Sequence, residues 1–515
     1  MTAKTLAAAA SFAMLVAATA RAQPPPAPAS CERLAALTLP QTVIRAELVA
    51  AGALTPPPSQ PFSEATPPGP PFFAALPAFC RVSATLKPSS DSDIKIEVWL
   101  PVGGWNRKFQ GVGNGGWSGG VAYRALGDAL RSGYAAASTD TGHVGSGFDA
   151  SFAFGHPEKL TDFAYRAVHE MTVTAKAIVS AYYGGEPRRS YWNGCSSGGK
   201  QGLKEAQRFP DDYDGIVAIA PANNWPRMLS AGLAISQTTT QAPLTREAIA
   251  LIAKAVLDTC DALDGVKDGV LENPRACRFD VATLACKATA DNTCLTAPQL
   301  ASAQAMYRDA VNARTGERIF PGFAAGSEAG WALFAGTAEP FPIADSYFKF
   351  VVYKDPAWNF RQFVLDRDGA SADRIDAGLI SATDPNLKPY FGRAGKLLML
   401  HGWSDELISP VNTIDYYRQV VDAVGVAAAA GSVQLFMVPG MRHCAGGPGP
   451  NVFDAVAALD AWVEQGRVPT RIVATHMARG VVDRTRPLCP YPQVAEYTGT
   501  GSTDQAENFV CAAPR

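Results

Sequence analysis

The chain has 515 residues, of which 47% are hydrophobic and 18% charged, and 45 basic against 47 acidic residues give a formal net charge of −2. This apolar content is typical of a globular protein and excludes a disordered or fibrous chain. The charge balance excludes a nucleic-acid-binding protein driven by bulk electrostatics. The length exceeds the roughly 250–300 residues at which one core stops growing, so a large domain carrying a second one is expected.

The N-terminus has the features of a secretory signal peptide. Lys4 precedes the mostly apolar segment Leu6–Ala20, and Ala20-Arg21-Ala22 fits a small-x-small cleavage site. A membrane anchor is the alternative, but the apolar run is shorter than the ~20 residues that span a bilayer. We therefore expect cleavage after residue 22 and a secreted or periplasmic protein that has no membrane association after cleavage.

The first part of the mature chain divides by its local patterns. The proline-rich segment 23–77 predicts an irregular strap, because proline removes a hydrogen-bond donor and fixes φ. Alternating apolar residues in Ile94–Leu100 predict a half-buried strand, and Gly133–Ser138 has the composition of a buried strand. Leu160–Tyr183 has a helical pattern, with Thr161 as its expected N-cap.

Strands and helices then alternate, which predicts an α/β fold with a mostly parallel sheet. The predicted elements are the strand Tyr191–Asn193, the helix Lys200–Phe209, the strands Ile216–Ile219 and Lys396–Leu400, a helix near Asn412–Val424 and the strand Val433–Val438. The alternation breaks after about Trp225. Residues 226–390 are therefore predicted to be an inserted domain, and residues 23–225 and 391–515 to be the two parts of the domain that carries it.

Ten cysteines, an even number, indicate disulfides in an exported chain. A metal site is the alternative, but no Cys-x-x-Cys pair with the usual spacing of zinc ligands occurs. Short separations favour three local bridges, and a fourth bridge would hold the strap. The local pairs are Cys260–Cys277, Cys286–Cys294 and Cys489–Cys511, and the strap pair is Cys31–Cys80.

Gly194-Cys195-Ser196-Ser197-Gly198 matches the G-x-S-x-G nucleophile elbow. The motif needs small residues because the turn from strand to helix is strained and has no room for side chains. A predicted strand precedes the motif and a predicted helix follows it, as the elbow requires. A glycine-rich turn with a solvated serine is the alternative. The motif predicts that Ser196 is the nucleophile of a serine hydrolase.

An elbow serine needs an acid and then a base further along the chain. Asp405 follows a predicted core strand and is the expected acid, with Glu406 as its nearest rival. His443 follows the next predicted strand through a Pro-Gly turn and is the expected base. The other histidines fit less well: His143, His156 and His169 precede the serine, His401 precedes the acid and is interpreted as structural, and His476 lies in a strand-like segment.

An oxyanion formed by attack on an ester is stabilised by two backbone N–H groups. One is expected from Ser197, the residue after the nucleophile. The glycine-rich turn 111–116 can approach a substrate closely, so Gly115 or Gly116 is the expected second donor. A phosphate-binding loop is the alternative, but the turn lacks the lysine of G-x-x-x-x-G-K-[ST] and is not a clean G-x-G-x-x-G entering a helix. No organic cofactor is therefore expected.

The loop 260–270 holds three carboxylates, those of Asp261, Asp264 and Asp268, among glycines. It is not an EF-hand, because the D-x-D-x-D-G spacing and the closing glutamate are absent. Clustered hard oxygens completed by backbone carbonyls still suit Ca²⁺. A solvated acidic turn is the alternative, and the loop alone leaves both open.

Taken together, these motifs resemble the tannase and feruloyl esterase family of α/β-hydrolases, which also contains a bacterial mono(2-hydroxyethyl) terephthalate hydrolase. The resemblance covers nearly the whole mature chain. The matching pieces are residues 194–199, Asp405 with Ile408-Ser409-Pro410, His443-Cys444, the loop 260–270 and the turn 113–116. It implies an α/β-hydrolase fold with a mostly parallel sheet and a large lid inserted before the triad acid.

The resemblance also implies further features. The cysteines beside nucleophile and base would form a Cys195–Cys444 disulfide. Ile408 would line the acyl pocket, where the terephthalate-ester enzyme has an aromatic residue, so that activity is less expected here. Aromatic residues within 344–358 either stack on the acyl group or belong to the lid core. The implied ligands of a structural calcium ion are Asp261, Asp264, Val266, Asp268 and Val270.

The sequence thus predicts a secreted serine carboxylesterase that uses Ser196, His443 and Asp405 on small aromatic esters, hydroxycinnamoyl or galloyl. An acyltransferase or a hydrolase of synthetic aromatic esters would use the same residues. A non-catalytic binding protein is disfavoured because the three residues are all present. No nucleic-acid partner is expected.

Overall fold

The computed structural model describes residues 1–2, 29–58, 69–287 and 292–514, so the predicted signal peptide lies outside the described residues apart from its first two. The strands are β1 (Thr42–Val49), β2 (Phe79–Leu86), β3 (Ile94–Pro101), β4 (Lys108–Val112), β5 (Ala135–Thr139), β6 (Arg189–Cys195), β7 (Gly215–Ile219), β8 (Ala310–Val311), β9 (Arg318–Phe320), β10 (Lys396–Gly402), β11 (Val433–Val438), β12 (Ile472–Ala478), β13 (Val481–Leu488), β14 (Val494–Tyr497) and β15 (Phe509–Ala512). The α-helices are α1 (Pro70–Ala74), α2 (Tyr123–Arg131), α3 (Pro157–Thr161), α4 (Ala167–Tyr183), α5 (Ser197–Arg208), α6 (Trp225–Thr239), α7 (Arg246–Cys260), α8 (Ala297–Tyr307), α9 (Ala332–Ala335), α10 (Pro342–Tyr347), α11 (Leu365–Asp376), α12 (Lys388–Gly392), α13 (Pro410–Val424), α14 (Val426–Ala430) and α15 (Ala455–Gln465).

Nine strands form one sheet in the order β1-β2-β3-β5-β4-β6-β7-β10-β11. The first four pair antiparallel, whereas every pair from β5 to β11 is parallel. The predicted α/β class with a mostly parallel sheet is therefore confirmed. Because the carboxyl ends of parallel strands meet at one edge, residues that follow β6, β10 and β11 come together there.

Helices cover both faces of the sheet, and consecutive strand residues pack on opposite faces. On one face, Trp192 and Ile216 pack against apolar residues of α4 such as Ile178. On the other face, Tyr191 and Val217 belong to the cluster that includes residues of α2 and α15. Burial on both faces explains why the central strands are nearly continuous hydrophobic runs.

The segment between β7 and β10 contains α6 to α12 and the short hairpin β8–β9. Its apolar core is built around Trp331, Phe334 and Phe341 and also includes residues from before β7, such as Phe163. Trp117, from the turn after β4, is fully buried in that same core. This segment, the lid, is therefore packed against the turn that was predicted to supply an oxyanion donor.

Three sequence predictions about local structure were wrong. The segment Ile94–Leu100 was predicted to be a half-buried strand, but every residue of β3 except Lys95 is buried. Thr161 is not an N-cap: helical structure already begins at Pro157, whose missing N–H suits a first helical position, and Thr161 lies in the helical region with its hydroxyl donating to the carbonyl of Pro157. A π-helical turn, Asp162–Arg166, joins α3 to α4. The proline-rich strap contains β1, a proline-free stretch that pairs with β2 along its whole length.

The structure contains the five predicted disulfides, and no described cysteine is free. They are Cys31–Cys80, Cys195–Cys444, Cys260–Cys277, Cys286–Cys294 and Cys489–Cys511. Within the described parts of the chain, every helix is too short or too polar to cross a bilayer.

Candidate active site

The nucleophile elbow lies between β6, which ends at Cys195, and α5, which begins at Ser197. Ser196 has φ 61° and ψ −121°, a conformation that side-chain-bearing residues rarely adopt. A Cβ atom on Gly194 would lie 2.5 Å from the backbone carbonyl of Gly198, so only glycine fits there. The predicted strand–turn–helix context is therefore present, and the strained turn presents Ser196 at the carboxyl edge of the sheet.

Asp405 lies in the loop after β10 and is completely buried. Its Oδ2 atom accepts a hydrogen bond from His443 Nδ1 at 2.8 Å. Its Oδ1 atom accepts from the backbone N–H groups of Leu407 and Ile408 at 2.8 and 2.9 Å. The acid therefore holds one imidazole nitrogen of the predicted base and is itself fixed by backbone.

The two charges of this pair stabilise each other. Burial alone would raise the pKa of Asp405, but His443 and the hydrogen bonds to His443 and His401 lower it well below its usual range. Burial alone would lower the pKa of His443, but the Asp405 carboxylate raises it above the ordinary value of 6.5. A protonated His443 is thus stabilised by an ionised Asp405, which is what a base needs after it has accepted a proton.

The Cys195–Cys444 disulfide joins the residue before Ser196 to the residue after His443, with a Cα–Cα distance of 5.8 Å. Cys444 itself has a positive φ of 66°. Among the described residues, no hydrogen bond yet links Ser196 to His443; such bonds commonly tighten only when substrate binds. The disulfide is therefore the direct link that brings nucleophile and base together.

The turn after β4 lies beside the elbow, because the hydroxyl of Ser197 donates to the carbonyl of Gly116 at 2.7 Å. The amides of Asn114 and Trp117 are used within the protein, donating to Gln201 Oε1 and to the carbonyl of Gly147. Within the described residues, no acceptor is found for the amides of Gly115 and Gly116. These two N–H groups remain available to a ligand, as the oxyanion prediction requires.

The rejected candidates have other partners. Glu406 accepts a hydrogen bond from the backbone amide of His443, whereas the Nδ1 atom of the imidazole is bound by Asp405. His476 lies in β12 and pairs with Asp483. The first three histidines also have other partners: His143 contacts the carbonyl of Trp117, His156 pairs with Asp91 and His169 pairs with Asp212.

Ile408 is buried, and its side chain belongs to the lid core. The aromatic residues of 344–358 mostly belong to that core as well. Phe348 and Trp358 are buried and stacked on each other, and Tyr347 stacks on Trp117 with ring centroids 5.9 Å apart. Their packing accounts for a structural role, and Tyr347 connects the lid to the turn that carries Gly116.

The acidic loop folds around a small cavity lined in part by Asp264, Val266, Asp268, Val270 and Glu272. Burial raises the pKa of Asp264 to about 6 and that of Glu272 to about 8. Such buried acidic oxygens suit a hard divalent cation.

Two of the implied ligands, Asp261 and Asp268, are partly committed to contacts within the protein. Asp261 Oδ1 accepts from the amides of residues 268 and 269. Asp268 pairs with Arg484 and Arg486. The cavity therefore has the donor types that calcium prefers, but two arginines already lie at one of its carboxylates.

Sequence reasoning missed two contributors. Glu272 continues the i, i+2 spacing of residues 268 and 270, which could have marked it as a further lining carboxylate. His401 contacts Asp405 directly, with Nε2 3.1 Å from Oδ2. The structural interpretation of His401 was compatible with that contact, but the sequence has no signal for two imidazoles on one carboxylate.

Known proteins share this architecture. A family model described as tannase and feruloyl esterase matches residues 80–512. An uncharacterized esterase from Xanthomonas campestris pv. campestris is 39% identical, over 95% of this chain and 92% of its own. Mono(2-hydroxyethyl) terephthalate hydrolase from Piscinibacter sakaiensis is 33% identical, over 86% of each chain. The crystal structure of feruloyl esterase B from Aspergillus oryzae has a TM-score of 0.86 at 29% identity, covering 94% of this chain and 99% of that one.

Proposed function

The chain belongs to the tannase and feruloyl esterase family of carboxylic ester hydrolases, and we propose that it cleaves aromatic esters through an acyl-enzyme on Ser196. The observation that carries the proposal is the 2.8 Å contact between His443 Nδ1 and Asp405 Oδ2, held next to Ser196 by the Cys195–Cys444 disulfide.

In the proposed reaction, Ser196 Oγ attacks the ester carbonyl while His443 Nε2 takes the serine proton. The tetrahedral intermediate collapses, and His443 returns that proton to the leaving alcohol. Water then attacks the acyl-enzyme, with His443 again as base, and releases the carboxylic acid and free Ser196. Asp405 keeps the proton of neutral His443 on Nδ1, so that Nε2 is free to act as base.

The negative charge that develops on the carbonyl oxygen would be bound by the amide of Ser197 and that of Gly115 or Gly116. Two features support this assignment: both glycine amides lack a protein acceptor within the described residues, and Gly116 is hydrogen-bonded to Ser197 through its carbonyl. Preorganised donors of this kind cost no reorganisation during the reaction.

For the substrate we propose hydroxycinnamoyl or galloyl esters, in line with the family and with the solved feruloyl esterase B. The similarity to mono(2-hydroxyethyl) terephthalate hydrolase keeps a terephthalate monoester as the second candidate. Ile408 stands where the terephthalate-ester enzyme has an aromatic residue, and this difference disfavours the terephthalate monoester as the substrate.

We propose that the acidic loop holds one structural calcium ion. The carboxylates of Asp261, Asp264 and Asp268 and the carbonyls of Val266 and Val270 would be its ligands. A bound cation would neutralise carboxylates that burial otherwise makes unfavourable as anions. Because the loop follows α7 in the lid, the ion would stabilise the lid and take no part in ester cleavage.

We also propose that the protein is exported after removal of residues 1–22. Five disulfides support an oxidising compartment, either the periplasm or the medium.

The test is a panel of methyl ferulate, methyl gallate and mono(2-hydroxyethyl) terephthalate, combined with labelling by a fluorophosphonate. We expect labelling of wild type and of Ser230→Ala, a matched loss of a buried hydroxyl in lid helix α6, and none of Ser196→Ala. The highest kcat/KM is expected on one of the first two esters. Labelling that persists in Ser196→Ala would disprove the elbow assignment, and a strong preference for the terephthalate ester would reverse the substrate order.

A further inference from the structure

Asp405 Oδ2 is contacted by two imidazoles. His443 Nδ1 lies 2.8 Å from it and His401 Nε2 lies 3.1 Å from it. His401 is the penultimate residue of β10, is completely buried, and is not part of the Ser-Asp-His triad. The oxygen that orients the proposed base therefore has a second nitrogen partner inside the protein.

The surroundings of His401 determine which nitrogen carries its proton. Nε2 faces two acceptors, Asp405 Oδ2 and the carbonyl oxygen of Ile408, each at 3.1 Å. Neither can donate when Asp405 is ionised, so Nε2 must carry the hydrogen. Nδ1 lies 2.7 Å from the hydroxyl of Thr413, which can donate to it. The loop after β10 thus holds Nε2, and helix α13 holds Nδ1.

We propose that His401 is a positioning residue: its Nε2–H donates to Asp405 Oδ2 and so sets both the orientation of that carboxylate and the basicity of His443. The proposal rests on the proposed function, since it assigns His401 a task within that active site. His401 does not touch the reacting atoms and acts only through Asp405.

A positioning role predicts the direction in which the pKa of His443 changes when His401 is replaced. A donor on Oδ2 withdraws negative charge from the oxygen that faces His443. When that donor is lost, the carboxylate stabilises the His443 imidazolium more strongly, and the pKa of His443 rises. Because His443 must be neutral to accept the serine proton, the acid limb of the kcat/KM profile moves to higher pH. Glu406, the other acid near His443, has its own pKa raised by burial and by Asp405, but it is present in every variant, so its effect on the His443 titration is common to all of them.

Three variants distinguish the effect of losing the Nε2–H donor from the effect of losing the imidazole ring. His401→Leu removes the donor, His401→Gln supplies an amide N–H in its place, and Thr413→Val removes the hydroxyl that orients Nδ1. In His401→Leu we expect kcat/KM to fall about tenfold to hundredfold, the range for losing a hydrogen bond to a charged group. We expect a higher acid-limb pKa, partial rescue in His401→Gln, and a smaller shift of the same sign in Thr413→Val.

The pKa of His443 is also to be read by NMR titration of its imidazole in the Ser196→Ala background, which needs no substrate. A raised pKa in the Leu variant and recovery in the Gln variant support the proposal even if the enzyme's ester has been misassigned. An unchanged acid limb and an unchanged His443 titration, with activity lost equally in the Leu and Gln variants, would overturn it and leave His401 as packing alone. If His401→Leu fails to fold, the test uses His401→Gln and Thr413→Val. An unchanged pKa of His443 in Thr413→Val would also overturn the proposal.

Discussion

Replacing Cys195 and Cys444 together by alanine should destabilise the protein and slow catalysis at once. Their bridge closes a separation of 249 residues, which corresponds to about 5.5 kcal/mol of unfolded-state entropy in the chain-entropy model, an upper value. The Cys286–Cys294 bridge closes a separation of only 8, for which the same model gives about 2.5 kcal/mol. The alanine pair at 286 and 294 is therefore a matched control.

The catalytic effect should separate the two variants more clearly than stability does. Ser196 and His443 share no hydrogen bond among the described contacts, and the disulfide between their neighbours sets their separation. A displacement of the order of 1 Å can cost about a hundredfold in rate. We therefore expect kcat to fall by about that factor in Cys195→Ala/Cys444→Ala and to be nearly unchanged in the control.

The assay combines urea unfolding followed by fluorescence with steady-state kinetics on the best aromatic ester. The unfolding free energies of the two double variants should differ by up to about 3 kcal/mol, the difference between the two loop entropies. If the 195/444 variant loses no more stability than the control and keeps its kcat, both the entropic reasoning and the role of the bridge in aligning the site are refuted.

Three further predictions concern the triad, the acidic loop and a buried glutamate. Ser196→Ala and His443→Ala should each lower kcat by several orders of magnitude, with little extra loss in the double variant. The control is His476→Ala, which removes an imidazole that pairs with Asp483 in β13. Additive losses in the double variant would contradict a triad. Removing Ca²⁺ with a chelator should lower the melting temperature, since a ligand at 100 times its Kd adds about 2.7 kcal/mol to the free energy of unfolding. The melting temperature of an Asp264→Asn variant should no longer respond to the chelator. Protein that contains no calcium and shows no thermal shift when calcium is added would contradict the proposal. Burial and the neighbouring Asp212 raise the pKa of Glu205 well above 4.5, so the folded state keeps a proton that the unfolded state releases, and stability should fall as pH rises above 4.5. In urea unfolding, the free energy of unfolding of Glu205→Gln should therefore increase relative to that of wild type as pH increases. A difference that does not depend on pH would refute this linkage.

The secondary structure was predictable where the local sequence pattern is compatible with only one kind of element. Val433–Val438 was predicted with the bounds that β11 has, because an apolar run flanked by glycine and proline admits little else. The antiparallel start of the sheet was not predicted. β1 lies inside a proline-rich segment, and its pairing with β2 depends on residues some forty positions apart, which local composition does not encode.

The elbow of the candidate site was predictable, because the turn imposes local demands that only small residues meet. A Cβ atom on Gly194 would lie 2.5 Å from the backbone of Gly198, and one on Gly198 would lie 3.1 Å from the Cα atom of Gly113. The second contact of Asp405 was not predictable, because His401 has the spacing and apolar surroundings of an ordinary core residue. Only the fold of the loop after β10, which brings Asp405 back to the imidazole, shows that its Nε2 reaches the carboxylate of the proposed triad.

Trp117 links the lid to the turn that is proposed to supply an oxyanion donor. Trp117 follows Gly116, donates its indole N–H to the carbonyl of Ile343 in the lid, and packs its ring against Trp225 and Tyr347. Its backbone amide is held by a carbonyl of the sheet domain. A substitution at Tyr347 would therefore remove a ring that packs on Trp117, the residue next to Gly116. Because the amide of Gly116 is a proposed oxyanion donor, we expect lid substitutions that loosen Trp117 to lower kcat as well as to change KM.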